Sequence, residues 1–217
     1  MSRYDMILFD LDGTLTDPGL GITSSVAHAL RRAGITPPPL PELYPFIGPP
    51  LVDSFVKYYG MTEEEGRIAV TWFREYFRDR GIFENEVYEG ISAMLSRLRA
   101  AGKTLVLATS KPEEFAKRIL DHFSLAEYFT CVTGASMDET LCRKGDVIAL
   151  ALRRCPPADL SRTVMVGDRL HDIEGAKQNG LPSIGVLYGY GSREELEDAG
   201  ADEIAATVTE LEQQLLA

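Results

Sequence analysis

Short apolar runs recur along this chain at Met6–Phe9, Leu105–Ala108, Tyr128–Val132, Val164–Val166 and Ile184–Leu187. None alternates cleanly with polar residues, so each is expected to be a strand covered on both faces, as in a parallel sheet. Between and after them, Val87–Ala101, Pro112–Phe123, Lys144–Arg154, Asp172–Asn179 and Arg193–Ala199 carry apolar residues three or four apart and predict helices. Gly102 and Gly180 stand where C-terminal caps belong. Strand and helix patterns in alternation predict an α/β fold, a Rossmann-like parallel sheet with helices on both faces.

Residues 17–83 read differently, with helical periodicity and no strand pattern. Ile22, Val26 and Leu30 mark one helix ended by Gly34, and Leu51, Phe55 and Tyr59 a second ended by Gly60. Thr62 with Glu65 forms a capping-box pattern for a third, whose stripe of Ile68, Trp72, Phe73, Tyr76 and Phe77 runs to Gly81. The expected organisation is therefore an α/β core over 1–16 and 84–217, with a small all-helical insert over 17–83. The run Pro37–Pro41 is a stiff connection inside that insert.

Composition narrows the function classes. Of 217 residues, 45% are apolar and 25% charged, the make-up of an ordinary globular protein. A formal charge of -11 repels polyanions, which argues against nucleic acid as a partner. Cys131, Cys142 and Cys155 are odd in number and lack C-x-x-C spacing, as expected of reduced thiols. The N-terminal apolar run is too short for a signal peptide, and nothing approaches the roughly 20 apolar residues of a spanning helix. A cytoplasmic location without membrane contact is expected.

The chemistry concentrates where the strand patterns end. Met6–Phe9 runs into Asp10-Leu-Asp12-Gly13-Thr14, Leu105–Ala108 into Thr109-Ser110-Lys111, and Val164–Val166 into Gly167-Asp168 with Asp172 one helical turn on. Open α/β sheets bind ligands at the carboxyl ends of their strands. Carboxylates gathered there repel, so the cluster must hold a cation, a proton, or both. Oxygen ligands without a suitable His or Cys point to Mg²⁺. The hydroxyls of Thr109 and Ser110, with Lys111 and with Pro112 read as the first residue of a helix, suit a phosphate; Lys144 opens the helix before the Asp168 strand. Each lysine taken alone reads as a solvated surface charge.

In this order, Asp10-x-Asp12-Gly13-Thr14, Thr109, Lys144 and Gly167-Asp168-x-x-x-Asp172 resemble the four motifs of the haloacid dehalogenase superfamily of phosphatases. The insert after the first motif matches members with a helical cap. Phe46–Leu51 and Gly180–Gly189 are similar to the phosphoglycolate phosphatase-like branch. The resemblance implies a Mg²⁺-dependent phosphomonoester hydrolase acting on a small phosphorylated metabolite, phosphoglycolate-like, through an aspartyl phosphate. It implies Asp10 as nucleophile, Asp12 as acid and then base, and Thr109 and Lys144 as phosphate-side groups. Mg²⁺ would be held by the Asp10 side chain, the Asp12 carbonyl and Asp168, with Asp172 a ligand through water or a support for Lys144. Gly13, Thr14, Ser110 and Lys111, with Gly48 and Pro49 from the cap, are the expected substrate contacts. A nucleoside 5′-monophosphate phosphatase, a sugar phosphomutase and a catalytically idle phosphate-binding module remain alternatives. His28 and His122 read as structural or surface residues and His171 as solvent-facing.

Overall fold

The computed structural model describes residues 3–138 and 140–217. Two compact units divide the chain: Met1–Asp17 with Val87–Ala217, and Pro18–Glu86. The first unit is built on a six-stranded sheet of β1 (Met6–Phe9), β4 (Thr104–Pro112), β5 (Cys131–Ala135), β6 (Thr163–Gly167), β7 (Ser183–Val186) and β8 (Glu203–Ala205). Its order is β5-β4-β1-β6-β7-β8 and its ladders are parallel. Two short strands, β2 (Thr16–Asp17) and β3 (Glu86–Val87), form a separate ribbon. The sheet grows outward from β1 through β4 to β5, then crosses back to β6 on the other side. The order thus reverses beside β1, and the carboxyl ends of β1, β4 and β6 flank the resulting crevice.

The lack of alternation in these strands has a direct cause. On one face Met6, Leu8, Val106, Ala108 and Met165 pack with Val147, Ile148 and Ala151 of α6 (Lys144–Arg154) and Ala176 of α7 (Leu170–Gln178). The residues between them, Ile7, Phe9, Leu105, Leu107, Val164 and Val166, are also fully buried. Neither face meets water, so neither needs polar residues.

Several boundaries differ from the sequence reading. The helix expected from Val87 starts at Ile91 as α4 (Ile91–Ala100), because Val87 belongs to β3 and Gly90 turns at φ 90°, a left-handed conformation that favours glycine. The strand expected over 128–132 is β5, three residues later; Ala126–Tyr128 forms a 3₁₀ turn first, and the register aligns Val106 with Cys131. Pro112 is not the first helical residue. It is extended, at ψ 130°, and closes β4 ahead of α5 (Glu113–His122). At the C-terminus β8 and a last helix, α9 (Val208–Leu216), were not anticipated, since α9 buries only Leu211 and Leu215.

The second unit contains α1 (Gly19–Arg32), α2 (Leu51–Tyr59) and α3 (Glu63–Phe77), with 3₁₀ turns at Leu40–Phe46 and Gly81–Phe83. Ile22, Val26, Leu30, Phe46, Phe55, Val70, Phe73 and Phe77 are among its buried side chains. The stripe read on α3 is corrected in part: Ile68 is exposed, while Ala69 and Val70 are buried beside Phe73 and Phe77. Gly81 does not end α3, which stops at Phe77; it is buried in the following turn. The Thr62 capping box does form, Thr62 Oγ1 accepting the Glu65 N–H at 3.2 Å and Glu65 accepting the Thr62 N–H at 2.8 Å. Thr62→Ala is expected to destabilise the protein by about 1 kcal/mol without altering catalysis, measured by urea denaturation beside an activity assay.

Candidate active site

The first acid is set by the sheet itself. Asp10 continues β1 by one residue, its N–H donating to Val166 O at 2.9 Å. The chain then folds back, with the N–H groups of Leu15 and Thr16 both donating to Leu11 O and that of Gly13 donating to Thr16 O at 2.8 Å. Gly13 sits at φ 82°, and a Cβ there would lie 2.1 Å from Asp168 Oδ2. Only glycine lets this loop approach the second acid. The N–H groups of Gly13 and Thr14 are spent inside the loop, whereas the buried Thr14 hydroxyl has no hydrogen-bond partner among the described residues.

β4 delivers the next group. Its extended backbone runs through Pro112, with a register irregularity after Thr109. Thr109 and Lys111 are buried and Ser110 half-buried. Thr109 Oγ1 accepts the Lys111 N–H at 3.2 Å, which leaves the hydroxyl hydrogen to donate elsewhere. The reading of both lysines as surface charges is overturned, since Lys111 and Lys144 are only 8% and 6% exposed. Lys111 Nζ pairs with Asp12 Oδ2 at 2.6 Å. Lys144 Nζ lies 2.7 Å from both Asp10 Oδ1 and Asp172 Oδ1, and donates to Ala108 O at 3.2 Å.

β6 and α7 supply the remaining acids. Asp168 follows β6 and is fully buried; Asp172 accepts the Arg169 N–H through Oδ2 at 3.1 Å, which fixes it in the first turn of α7. Asp10, Asp168 and Asp172 each bring one carboxylate oxygen within 4.8 Å of the others. Asp10, Asp12, Thr109, Lys111, Lys144, Asp168 and Asp172 thus gather at the crevice beside β1. Gly48 and Pro49 lie in the second unit, between the first 3₁₀ turn and α2.

The electrostatics call for a cation. Four carboxyl groups face two ammonium groups, so even with Asp12 protonated the three remaining carboxylates leave one negative charge in excess. Like charges roughly 5 Å apart repel by about 3 kcal/mol at an effective dielectric near 20. Burial pushes the carboxyls of Asp12, Asp168 and Asp172 above the usual range, opposed at Asp12 by Lys111 and at Asp172 by Lys144, and reinforced at Asp168 by the Asp172 and Asp10 charges. Burial pulls the Lys144 ammonium down, but Asp10 and Asp172 outweigh it and hold it above its ordinary range. Asp168 Oδ1 is buried with no partner among the described residues. A hard divalent ion fits this donor set, because it takes oxygen ligands and offsets the excess charge.

Residues 7–186 match the family described as haloacid dehalogenase-like hydrolase. The chain belongs to that family. A 5′-nucleotidase of Pseudomonas aeruginosa is 46% identical over 201 residues, 89% of this chain and 87% of its own length. The tyrosine-protein kinase PtkA of Mycobacterium tuberculosis is 38% identical over 97% of this chain and 72% of its own length. A phosphoglycolate phosphatase of Agrobacterium fabrum is 32% identical, with coverage of 85% and 81%. Among solved structures, a predicted phosphatase from Clostridium acetobutylicum superposes with a TM-score of 0.96 at 48% identity, over 99% of both chains. Magnesium use is typical of this hydrolase family.

Sequence reasoning missed part of this site. The segment after β7 reaches back over the first loop: Tyr188 Oη donates to Thr14 O at 3.1 Å and the Tyr190 N–H donates to Asp168 Oδ2 at 2.7 Å. Its signals were its position at the carboxyl end of a sheet strand and the resemblance of Gly180–Gly189 to a family branch, neither of which named Tyr188 or Tyr190 as a contact. His171 is half-buried rather than solvent-facing, and burial with the nearby Arg169 charge lowers its pKa. His28 pairs with Glu75 at 3.3 Å, and His122 packs its ring on Phe123. No helix among the described residues is long and apolar enough to cross a membrane.

Proposed function

We propose that this haloacid dehalogenase-like hydrolase cleaves the phosphate monoester of a small metabolite through an aspartyl phosphate on Asp10. The observation that carries the reading is the buried acid cluster with its excess negative charge, Lys144 bridging two of its members at 2.7 Å. Asp10, the Asp12 carbonyl and Asp168 would hold Mg²⁺, with Asp172 supporting Lys144. Bound there, Mg²⁺ supplies Lewis-acid stabilisation of charge on the phosphoryl oxygens.

The steps belong to the side chains. The Asp10 carboxylate attacks phosphorus as the ester P–O bond breaks, which splits one difficult hydrolysis into two displacements. Asp12 gives its proton to the departing alkoxide; its Oδ1, buried and without a hydrogen-bond partner among the described residues, is the oxygen available to carry that proton. The resulting Asp12 carboxylate then takes a proton from water as the water attacks phosphorus, releasing inorganic phosphate and regenerating Asp10. Thr109 donates its hydroxyl hydrogen to a phosphoryl oxygen, and Lys144 offsets charge on nucleophile and phosphoryl group. Lys111 accompanies the proton changes of Asp12.

Nucleoside 5′-monophosphates are the substrate class best supported, on the 46% identity to the 5′-nucleotidase. Phosphoglycolate is the second reading, on the 32% identity to the phosphoglycolate phosphatase. A panel containing both and a hexose phosphate, with p-nitrophenyl phosphate as a generic ester, tests the proposal with and without EDTA. Release of inorganic phosphate that EDTA abolishes and Mg²⁺ restores is expected. An isomeric sugar phosphate without free phosphate would make the protein a mutase, and binding without turnover a phosphate-binding module.

A further inference from the structure

Tyr190 contacts two acids, one of them in the cluster, through two different groups. Its backbone N–H donates to Asp168 Oδ2 at 2.7 Å, and its ring hydroxyl donates to Asp17 Oδ1. Asp17 closes the first loop, the one that begins with Asp10. The neighbouring residues press the same two partners together. A Cβ on Gly189 would lie 2.2 Å from Gly13 O and 2.5 Å from Asp168 Oδ2, so the backbone runs in contact with both. The Tyr188 hydroxyl is tied to Thr14 O, and its ring meets Tyr88 edge-on at 5.2 Å between centroids. Asp168 Oδ2 is therefore occupied by the protein, and the unpartnered Oδ1 is the oxygen left for an ion.

We infer that Tyr190 is a positioning residue for the metal ligand Asp168: Asp17 anchors its ring, the anchored ring orients the 189–190 peptide, and that peptide N–H turns Asp168 Oδ1 toward the cation. The inference rests on the proposed metal site and deepens it. Partners that orient metal ligands typically change affinity about 10- to 100-fold when lost. Tyr190→Phe keeps the N–H and removes only the anchor, so a smaller weakening of about three- to ten-fold in Mg²⁺ affinity is expected.

The test is calorimetric titration of the full-length protein with Mg²⁺ in the absence of substrate. Tyr190→Phe and Asp17→Ala are each expected to weaken binding by similar factors, and the double variant by no more than either alone, because both break one contact. Leu215→Ala, a truncation in the core under α9, should lower Tm yet bind Mg²⁺ as the wild type does, which separates positioning from general loosening. Wild-type affinity in Tyr190→Phe, or fully additive losses in the double variant, would overturn the inference while leaving the metal site standing. A wild-type protein that binds no Mg²⁺ would overturn both.

Discussion

Asp10→Asn is expected to lower kcat for phosphate release by at least about a thousand-fold, while the protein remains folded and as stable as the wild type. The amide keeps the shape of the side chain and its place one residue beyond β1, but it has no anionic oxygen to attack phosphorus. Stability holds because the substitution removes one of several mutually repelling carboxylates, and Lys144 retains Asp172 as a partner. Loss of function at constant or raised Tm is the pattern of a residue kept for chemistry rather than for folding. The comparison needs steady-state assays and thermal denaturation of the two proteins side by side. Near wild-type turnover in the variant would remove Asp10 from the nucleophile's role.

Lys144→Met is expected to fail in both respects. Its ammonium is the shared partner of Asp10 and Asp172, and all three side chains are buried. Removing one member of such a group leaves uncompensated charge, at a cost of about 3–5 kcal/mol. Activity should fall about a hundred- to a thousand-fold with the loss of a charged donor from the phosphate side. The stability deficit should also depend on pH in a definite direction. Burial already raises the Asp172 carboxyl, and without Lys144 it takes up a proton still more readily in the folded state than in the unfolded chain. Folding of the variant is therefore favoured as pH falls, so its deficit should be largest near neutrality and shrink towards pH ~5. Denaturant titrations across that range check the sign; a deficit that grew on acidification would contradict the pairing.

Much of the sheet was legible because its strands are buried on both faces and leave uninterrupted apolar runs. Met6–Phe9 and Val164–Val166 could be read directly, since each is wholly apolar and is bounded at its end by Asp and Gly residues. The strand expected at Tyr128–Val132 slid to Cys131–Ala135 because Tyr128 closes a 3₁₀ turn, and hydropathy alone does not separate the two. α9 escaped notice although Thr207 and Glu210 form an N-terminal signal, Thr207 Oγ1 accepting the Glu210 N–H at 3.1 Å; its two buried leucines are too few to mark a stripe. Within the site, Asp10 and Asp168 could be found because they follow the ends of apolar runs, and Asp12 and Asp172 because they lie two and four residues further on. The Lys111–Asp12 pair could not, since only the folded sheet brings the two together, and for Lys144 it was the family resemblance, not the residue pattern, that pointed to Asp172. Tyr190 acts on Asp168 through a backbone N–H, which every residue except proline carries, so no side-chain pattern announces it.

The central claim is that hydrolysis proceeds by two successive displacements at phosphorus, the first by Asp10 and the second by water. It is tested most directly by the stereochemical course of hydrolysis of a phosphorothioate monoester made chiral at phosphorus with two oxygen isotopes, in water carrying the third. Two in-line displacements predict overall retention of configuration in the product. Inversion would mean a single direct attack by water, and Asp10 would then have no covalent part in the reaction.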